Sequence, residues 1–293
     1  MFEGFEQHRV EANGVEINLV KGGEGPPVLL LHGYPQTHAM WHGVAPLLVD
    51  AGFTVVAADL RGYGDSSKPE GDEAHVTYSK RAMSDDMAGA MGSLGFERFA
   101  VVGHDRGGRV GHRMALDHAG SVTKLAVLDI LPTRHLFSTV GRDLAMAYYH
   151  WFFLAQPYDF PETLIGGSRA YYLRALLGRY GSTVEAFAPE ALAEYERCFD
   201  ERTVHASCED YRAAASVDLS HDESDRDNGR GIECPLLALW GKNGAMHGLY
   251  DVLEVWRTYA KDVRGGPIEA GHYLAEEKPE ETARELSAFL ASD

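Results

Sequence analysis

A chain of 293 residues, 45% hydrophobic and 24% charged, can bury a full core and is neither disordered nor of low complexity. Its formal charge of −17 excludes the basic footprint that nucleic acid requires, yet leaves room for a small anion held by a few buried arginines. No apolar run approaches the ~20 residues that span a bilayer. No basic-then-apolar leader opens the chain, and three cysteines without C-x-x-C spacing (Cys198, Cys208, Cys234) read as reduced thiols. The expectation is a cytoplasmic protein with no membrane or nucleic-acid partner.

Asn13-Gly14 predicts an opening hairpin. Short, continuously apolar runs follow at 28–31, 53–58, 99–102, 125–128, 236–240 and 267–269, each ending in turn residues. Continuous rather than alternating apolarity marks strands buried on both faces of a parallel sheet. Helical stretches are predicted at 78–94, 109–118, 249–261 and 276–290. The alternation predicts an α/β fold with a doubly wound, mostly parallel sheet, whose chemistry collects at the carboxyl ends of its strands. Residues 132–230 break the alternation: they are rich in Tyr, Phe, Arg and Ala and contain no buried-strand pattern. They read as a helical cap domain inserted into a core formed by 1–131 and 231–293, of the kind that covers a site and excludes water.

The chemistry centres on Gly103-His104-Asp105-Arg106-Gly107-Gly108, after the apolar run and before a helix. A strand–turn–helix elbow of an α/β-hydrolase normally reads G-x-S-x-G, and here Asp105 stands where the serine nucleophile would. Asp is also a common helix cap, but capping alone explains neither the flanking glycines nor the companion motifs. His32-Gly33-Tyr34-Pro35, after an earlier strand, is placed to lend the backbone N–H of Tyr34 to an oxyanion hole, with Arg106 N–H as the second donor. His272, after the last strand, falls where the base of such a triad belongs. For its acid, the loop after the run at 236–240 offers Gly241-Lys242-Asn243-Gly244 and no carboxylate, so Asp129, ending the run at 125–128, is the candidate.

A serine attacking a saturated carbon would leave an ether that the machinery cannot clear. Asp105 leaves an ester, whose carbonyl water activated by His272 can attack. An aspartate elbow therefore predicts substitution at an sp³ carbon: haloalkanes, haloacids or epoxides. Arg106 and Arg109, the latter one helical turn beyond Asp105, suggest a substrate carboxylate beside that carbon. There is no H-E-x-x-H or Cys/His zinc spacing, and His38 and His42 lie four apart without such a context, so no metal or organic cofactor is expected.

The segments HGYPQTHAMWH, DLRGYGDSSKP, VVGHDRGGRVGHRMALDH, LAVLDILPT, YYHWFFLAQP, CEDYRAAA, LALWG and PIEAGHYLAEE resemble the fluoroacetate (haloacetate) dehalogenase family over nearly the whole chain. The resemblance implies hydrolysis of 2-haloacids, with Asp105 as nucleophile, His272 as base and Asp129 as orienting acid. It implies that Arg106 and Arg109 bind the substrate carboxylate, that His150, Trp151 and Tyr211 bind the halide, and that the chain forms a homodimer. All three members of the halide trio carry N–H or O–H donors, as departing fluoride requires. Tyr34 departs from the His-Gly-Phe-Pro pattern of that family, which bears on which haloacid fits. Two rivals follow from the same residues. An epoxide hydrolase would use Asp105 with two cap tyrosines, for which Tyr149 and Tyr211 are available; a non-catalytic receptor would leave Asp105, His272 and Asp129 without purpose.

Overall fold

The computed structural model describes residues 1–292. Its described residues build an eight-stranded sheet in the order β1-β2-β4-β3-β5-β6-β7-β8, from β1 (Glu6–Ala12), β2 (Val15–Gly22), β3 (Pro27–Leu31), β4 (Thr54–Ala58), β5 (Phe99–His104), β6 (Val122–Leu128), β7 (Leu236–Gly241) and β8 (Val263–Ile268). β1 and β2 form the predicted hairpin, with Asn13 and Gly14 at φ of +50° and +77°. Both central turn residues thus occupy the left-handed region that a two-residue hairpin demands. β2 joins β4 antiparallel, and every pairing from β4 to β8 is parallel. β4, β5 and β7 are buried along their whole length, as their unbroken apolarity requires.

β3 lies between β4 and β5, so the winding of the sheet reverses there. A crevice opens at the carboxyl ends of strands flanking such a reversal. Helices α1 (Ala45–Asp50), α2 (Lys80–Ser93) and α3 (Asp105–Asp117) belong to the connections around it. α3 packs on β3, β5 and β6, and its N-terminus is aimed at that crevice.

Between β6 and β7 the chain is helical throughout: α4 (Thr133–Ser138), α5 (Arg142–Ala147), α6 (Tyr149–Leu154), α7 (Phe160–Gly166), α8 (Arg169–Leu177), α9 (Pro189–Cys198), α10 (Glu201–Ala214) and α11 (Val217–Asp227). This is the inserted helical cap. α10 is its centre, packing on α6, α7 and α11. Asp200 starts it by accepting from Thr203 N at 2.8 Å, which satisfies one of the free N–H groups of the first turn. None of the described helices is long and apolar enough to cross a membrane.

Most boundaries differ from expectation by a few residues, α3 beginning at Asp105 and β6 at Val122, and three differences have a plain local reason. β8 covers Val263–Ile268 rather than 267–269, because Arg264-Gly265-Gly266-Pro267 lies on the sheet edge, where a missing proline N–H costs no ladder bond. The helix expected at 249–261 is α12 (Ala245–Leu249) and α13 (Val252–Arg257), broken at an extended Tyr250 and restarted by the Asp251 cap on Glu254 N. The one expected at 276–290 divides at Lys278 into α14 (Leu274–Glu277) and α15 (Pro279–Ala291), since Pro279 suits a first turn and not an interior.

Candidate active site

Asp105 is the first residue of α3, directly after β5, with φ of +43°. A left-handed aspartate is strained, and the surroundings hold it there. A Cβ on Gly103 would run into the Gly107 carbonyl, and one on Gly107 into the carbonyls of Leu31 and His32. Gly107 N donates to His32 O at 2.8 Å, tying the elbow to the turn after β3. The two glycines thus permit the close approach that brings Tyr34 N to 3.3 Å from Asp105 Oδ2. Arg106, next in the first turn of α3, has an N–H with no carbonyl four residues back within the helix. Burial alone would raise the Asp105 pKa, but the charges of His272, Arg109 and Arg106 outweigh it and hold the group below its ordinary value. The buried side chain is a carboxylate.

His272 and Asp129, 143 residues apart, meet with Nδ1 at 2.5 Å from Oδ2. The other oxygen of Asp129 accepts from Gly241 N at 3.0 Å, at the end of β7. The strand end without a carboxylate of its own therefore supplies the N–H that aims the carboxylate of its neighbour. Burial lowers the His272 pKa, but the hydrogen bond and charge of Asp129, followed by the charge of Asp105, raise it above the usual imidazole value. Its backbone N donates to Tyr180 O at 3.0 Å, and its ring lies 4.5 Å from that of His104.

The two arginines differ in what they already hold. Arg106 is wholly buried and grips Asp210 of α10: Nε donates to Oδ2 at 2.9 Å, and Nη2 donates to Oδ1 and to the backbone O at 3.0 Å. Nη1 is left without a partner. Arg109 donates through Nη1 to Leu131 O at 2.8 Å and Thr133 Oγ1 at 3.1 Å, while Nε is unpartnered. Among the described residues it has no carboxylate at ion-pairing distance. Burial and the charge of Arg106 bring its pKa down to about 10, against the pull of Asp105. A buried guanidinium lacking its own counterion is suited to an anion that arrives.

Above these residues sit the cap aromatics. Tyr211 lies 4.2 Å from the Arg106 guanidinium and Trp151 lies 4.4 Å from that of Arg109. The rings of His150 and Trp151 are 5.6 Å and 6.1 Å from Tyr211. The Tyr211 hydroxyl is buried with no partner. His150 Nδ1 is 2.8 Å from the hydroxyl of Tyr180. Tyr34 packs edge-on to Tyr211 at 5.4 Å, so its ring borders the same space. The open clefts on the outside of the cap, around Glu162 and Arg169, contain none of these residues. The structure thus brings together every candidate catalytic and binding residue singled out from the sequence, with Tyr149 at the margin, exposed under Arg179 and with its ring 6.0 Å edge-on from His150.

Sequence reasoning missed Asp210 and Tyr180. Asp210 precedes Tyr211 in the quoted segment CEDYRAAA, which was a usable signal; Tyr180 carried none. Asp210 also bonds Lys80, which lies 3.7 Å from Asp218 as well, and accepts from Tyr63 Oη at 2.8 Å, so the one carboxylate bridges two buried cations across the cap and core. Asp210→Asn is expected to cost about 3–5 kcal/mol of unfolding free energy, since it strands Arg106 in a dry site and leaves Lys80 with Asp218 alone at 3.7 Å. Urea denaturation measures this; a midpoint equal to that of the wild type would show the carboxylate to be dispensable.

A match to the family described as alpha/beta hydrolase fold spans residues 26–279. The chain is 48% identical over 293 residues to a fluoroacetate dehalogenase from Burkholderia sp, covering 99% of this chain and 95% of that one. It is 33% identical to a soluble epoxide hydrolase from Corynebacterium sp. (strain C12), covering 93% of each. The crystal structure of an alpha/beta hydrolase from Nostoc sp PCC 7120 superposes with a TM-score of 0.98 at 55% identity over the full length of both chains. With an aspartate in the elbow and these similarities along its whole length, the chain belongs to the α/β-hydrolase family, in its fluoroacetate dehalogenase branch.

Proposed function

We propose that the protein hydrolyses the carbon–halide bond of 2-haloacids such as fluoroacetate, giving the 2-hydroxy acid and halide. The observation that carries this reading is a buried, ionised Asp105 on the elbow beside Arg109, a buried guanidinium with no carboxylate of its own. A neutral substrate would bring no anion to that guanidinium, leaving it only the field of Asp105.

Arg109, with the open Nη1 of Arg106, holds the substrate carboxylate so that the α-carbon faces Asp105. A carboxylate oxygen forms the new C–O bond from the side opposite the halide as the C–halide bond breaks, so a chiral substrate inverts. The halide leaves toward the donors of His150, Trp151 and Tyr211, where water is excluded and each hydrogen bond counts for more. The product is an ester of Asp105, with its carbonyl oxygen at the N–H groups of Tyr34 and Arg106. Alkylation removes the Asp105 charge, which is one of the causes that keep the His272 pKa high. His272 is therefore more readily neutral in the ester than in the free enzyme, at the step that needs a base. Oriented by Asp129, it takes a proton from water, the oxygen attacks the ester carbonyl, and the hydroxy acid leaves with that proton; the second proton of the water is lost to solvent as Asp105 returns to its carboxylate, matching the halide released. One Asp105 oxygen now comes from water.

In this reading the core is 1–131 and 231–293 and the cap 132–230, the protein acts in the cytoplasm, and it needs no cofactor. A homodimer is the proposed assembly; exposed Tyr158, Phe160, Leu164 and Tyr171 on and beside α7 and α8 offer an apolar face for it. The epoxide reading has a relative behind it and one structural argument: the hydroxyls of Tyr148 and Tyr211 are both buried without partners. A single turnover of fluoroacetate in ¹⁸O-labelled water, with enzyme in excess, should place label in Asp105. Label in glycolate with none in Asp105 would mean that water attacks the substrate directly. Turnover of epoxides but of no haloacetate would overturn the substrate class.

A further inference from the structure

Tyr180 lies in the loop after α8, with φ of +60°, and touches two parts of the site at once. Its backbone O accepts from His272 N at 3.0 Å and its ring meets the His272 ring edge-on at 5.7 Å. Its hydroxyl is 2.8 Å from His150 Nδ1, whereas His150 Nε2 bonds no described residue. We propose that Tyr180 is a positioning residue: its hydroxyl donates to His150 Nδ1 and thereby fixes the imidazole as the Nε2–H tautomer, the form that can donate to a departing halide.

The imidazole is neutral, because burial holds its pKa down to about 3. A neutral imidazole has one N–H, and the hydrogen bond at one nitrogen decides which nitrogen carries it. Burial pushes the Tyr180 phenol up, so its proton is present to be given. The direction of donation follows from the other neighbour of the phenol. The Arg179 guanidinium lies 5.8 Å from the Tyr180 ring and has only donors, and its charge draws the phenol pKa down against burial, which strengthens the hydroxyl as a donor toward Nδ1. Tyr148 stacks on Tyr180 at 5.8 Å and locks the ring plane. With the opposite tautomer, Nε2 would present a lone pair to the halide and repel it. The inference deepens the reading of His150 as a halide ligand and rests on it for its consequence, but not for the tautomer.

Fluoride gains most from a strong donor, so the hydroxyl should matter most for fluoride. In Tyr180→Phe, which keeps the ring, the backbone acceptor and the left-handed turn, fluoride release from fluoroacetate is expected to fall roughly tenfold more than bromide release from bromoacetate. In ¹⁵N-histidine-labelled wild type, with the His150 signals assigned by their loss in His150→Asn, Nε2 should carry the proton, and Tyr180→Phe should shift both His150 nitrogens toward a mixture. An Nδ1-protonated His150 in the wild type overturns the proposal, as does an equal fall with both halides. Should Tyr180→Phe fail to fold, the wild-type spectrum still decides. A wild type that releases no halide while showing the Nε2–H form would sink the dehalogenase reading and leave the tautomer assignment standing.

Discussion

His272→Gln is expected to release one equivalent of halide per active site and then stall. On the proposed mechanism the first step needs the Asp105 carboxylate, the arginines and the halide donors; the substitution removes the His272 charge from beside Asp105 but leaves those of Arg109 and Arg106 to hold it ionised. The second needs a base, which glutamine is not. Steady-state turnover should fall by roughly 10²–10⁴-fold, the usual contribution of a general base. Mass spectrometry should find the peptide containing Asp105 carrying a carboxymethyl group, and hydroxylamine or alkali should remove it as an ester. The His272 ring packs against His104 and Tyr273 at 4.5 Å and 4.9 Å, so thermal unfolding of the variant should be recorded alongside. A slow, continuing release with no burst and no adduct would mean that water attacks the α-carbon directly and that Asp105 is its base.

The second large effect is expected at Asp129. In the free enzyme His272 Nδ1 faces Asp129 Oδ2, which directs the Nε2 lone pair away from the acid. Asn at this position can offer an N–H to Nδ1 and favour the opposite tautomer, so kcat should drop on the order of 10⁴-fold, as wrong-tautomer variants of hydrolase triads do. The pH dependence provides a second readout. The base must be neutral, so turnover falls as pH drops through the His272 pKa of the rate-limiting species. Asp129 raises that pKa through its hydrogen bond and charge. Removing the charge lowers it, so the residual activity of Asp129→Asn should keep its plateau to a lower pH than the wild type. The pH profile of kcat for both proteins tests this. An acid limb that moves upward, or a loss below tenfold, would remove Asp129 from the role of orienting acid.

Arg106 bears on how both experiments are interpreted. The sequence places it beside Asp105 and pairs it with Arg109, which suggests a substrate carboxylate held by the two. In the fold, Arg106 spends its bidentate face on Asp210 and offers one remaining nitrogen, whereas Arg109 holds only a carbonyl and a hydroxyl. On the proposed function, Arg109 is then the principal partner of the substrate carboxylate and Arg106 a fixed charge beside it.

Much was legible from the chain alone because it is encoded locally. Continuous apolar runs mark β3 to β7, since a strand covered on both faces has no polar positions to alternate. Gly103 and Gly107 around Asp105 mark the elbow, since no side chain fits there. The strand ends then place Tyr34, Asp129 and His272 in one crevice, because parallel strands carry their carboxyl ends to the same edge. What local pattern could not encode is the partner of each buried polar group. Arg106 and Asp210 are 104 residues apart, and His150 and Tyr180 are 30 apart. The first pair exists only once the cap has docked on the core and the second only once the cap helices have packed on one another, because desolvation favours pairing the polar groups it buries. The sequence by itself determined that an aspartate sits where a serine would, and so the chemistry that can follow. The tertiary structure decided which arginine is left without a carboxylate partner, and which tyrosine faces His150.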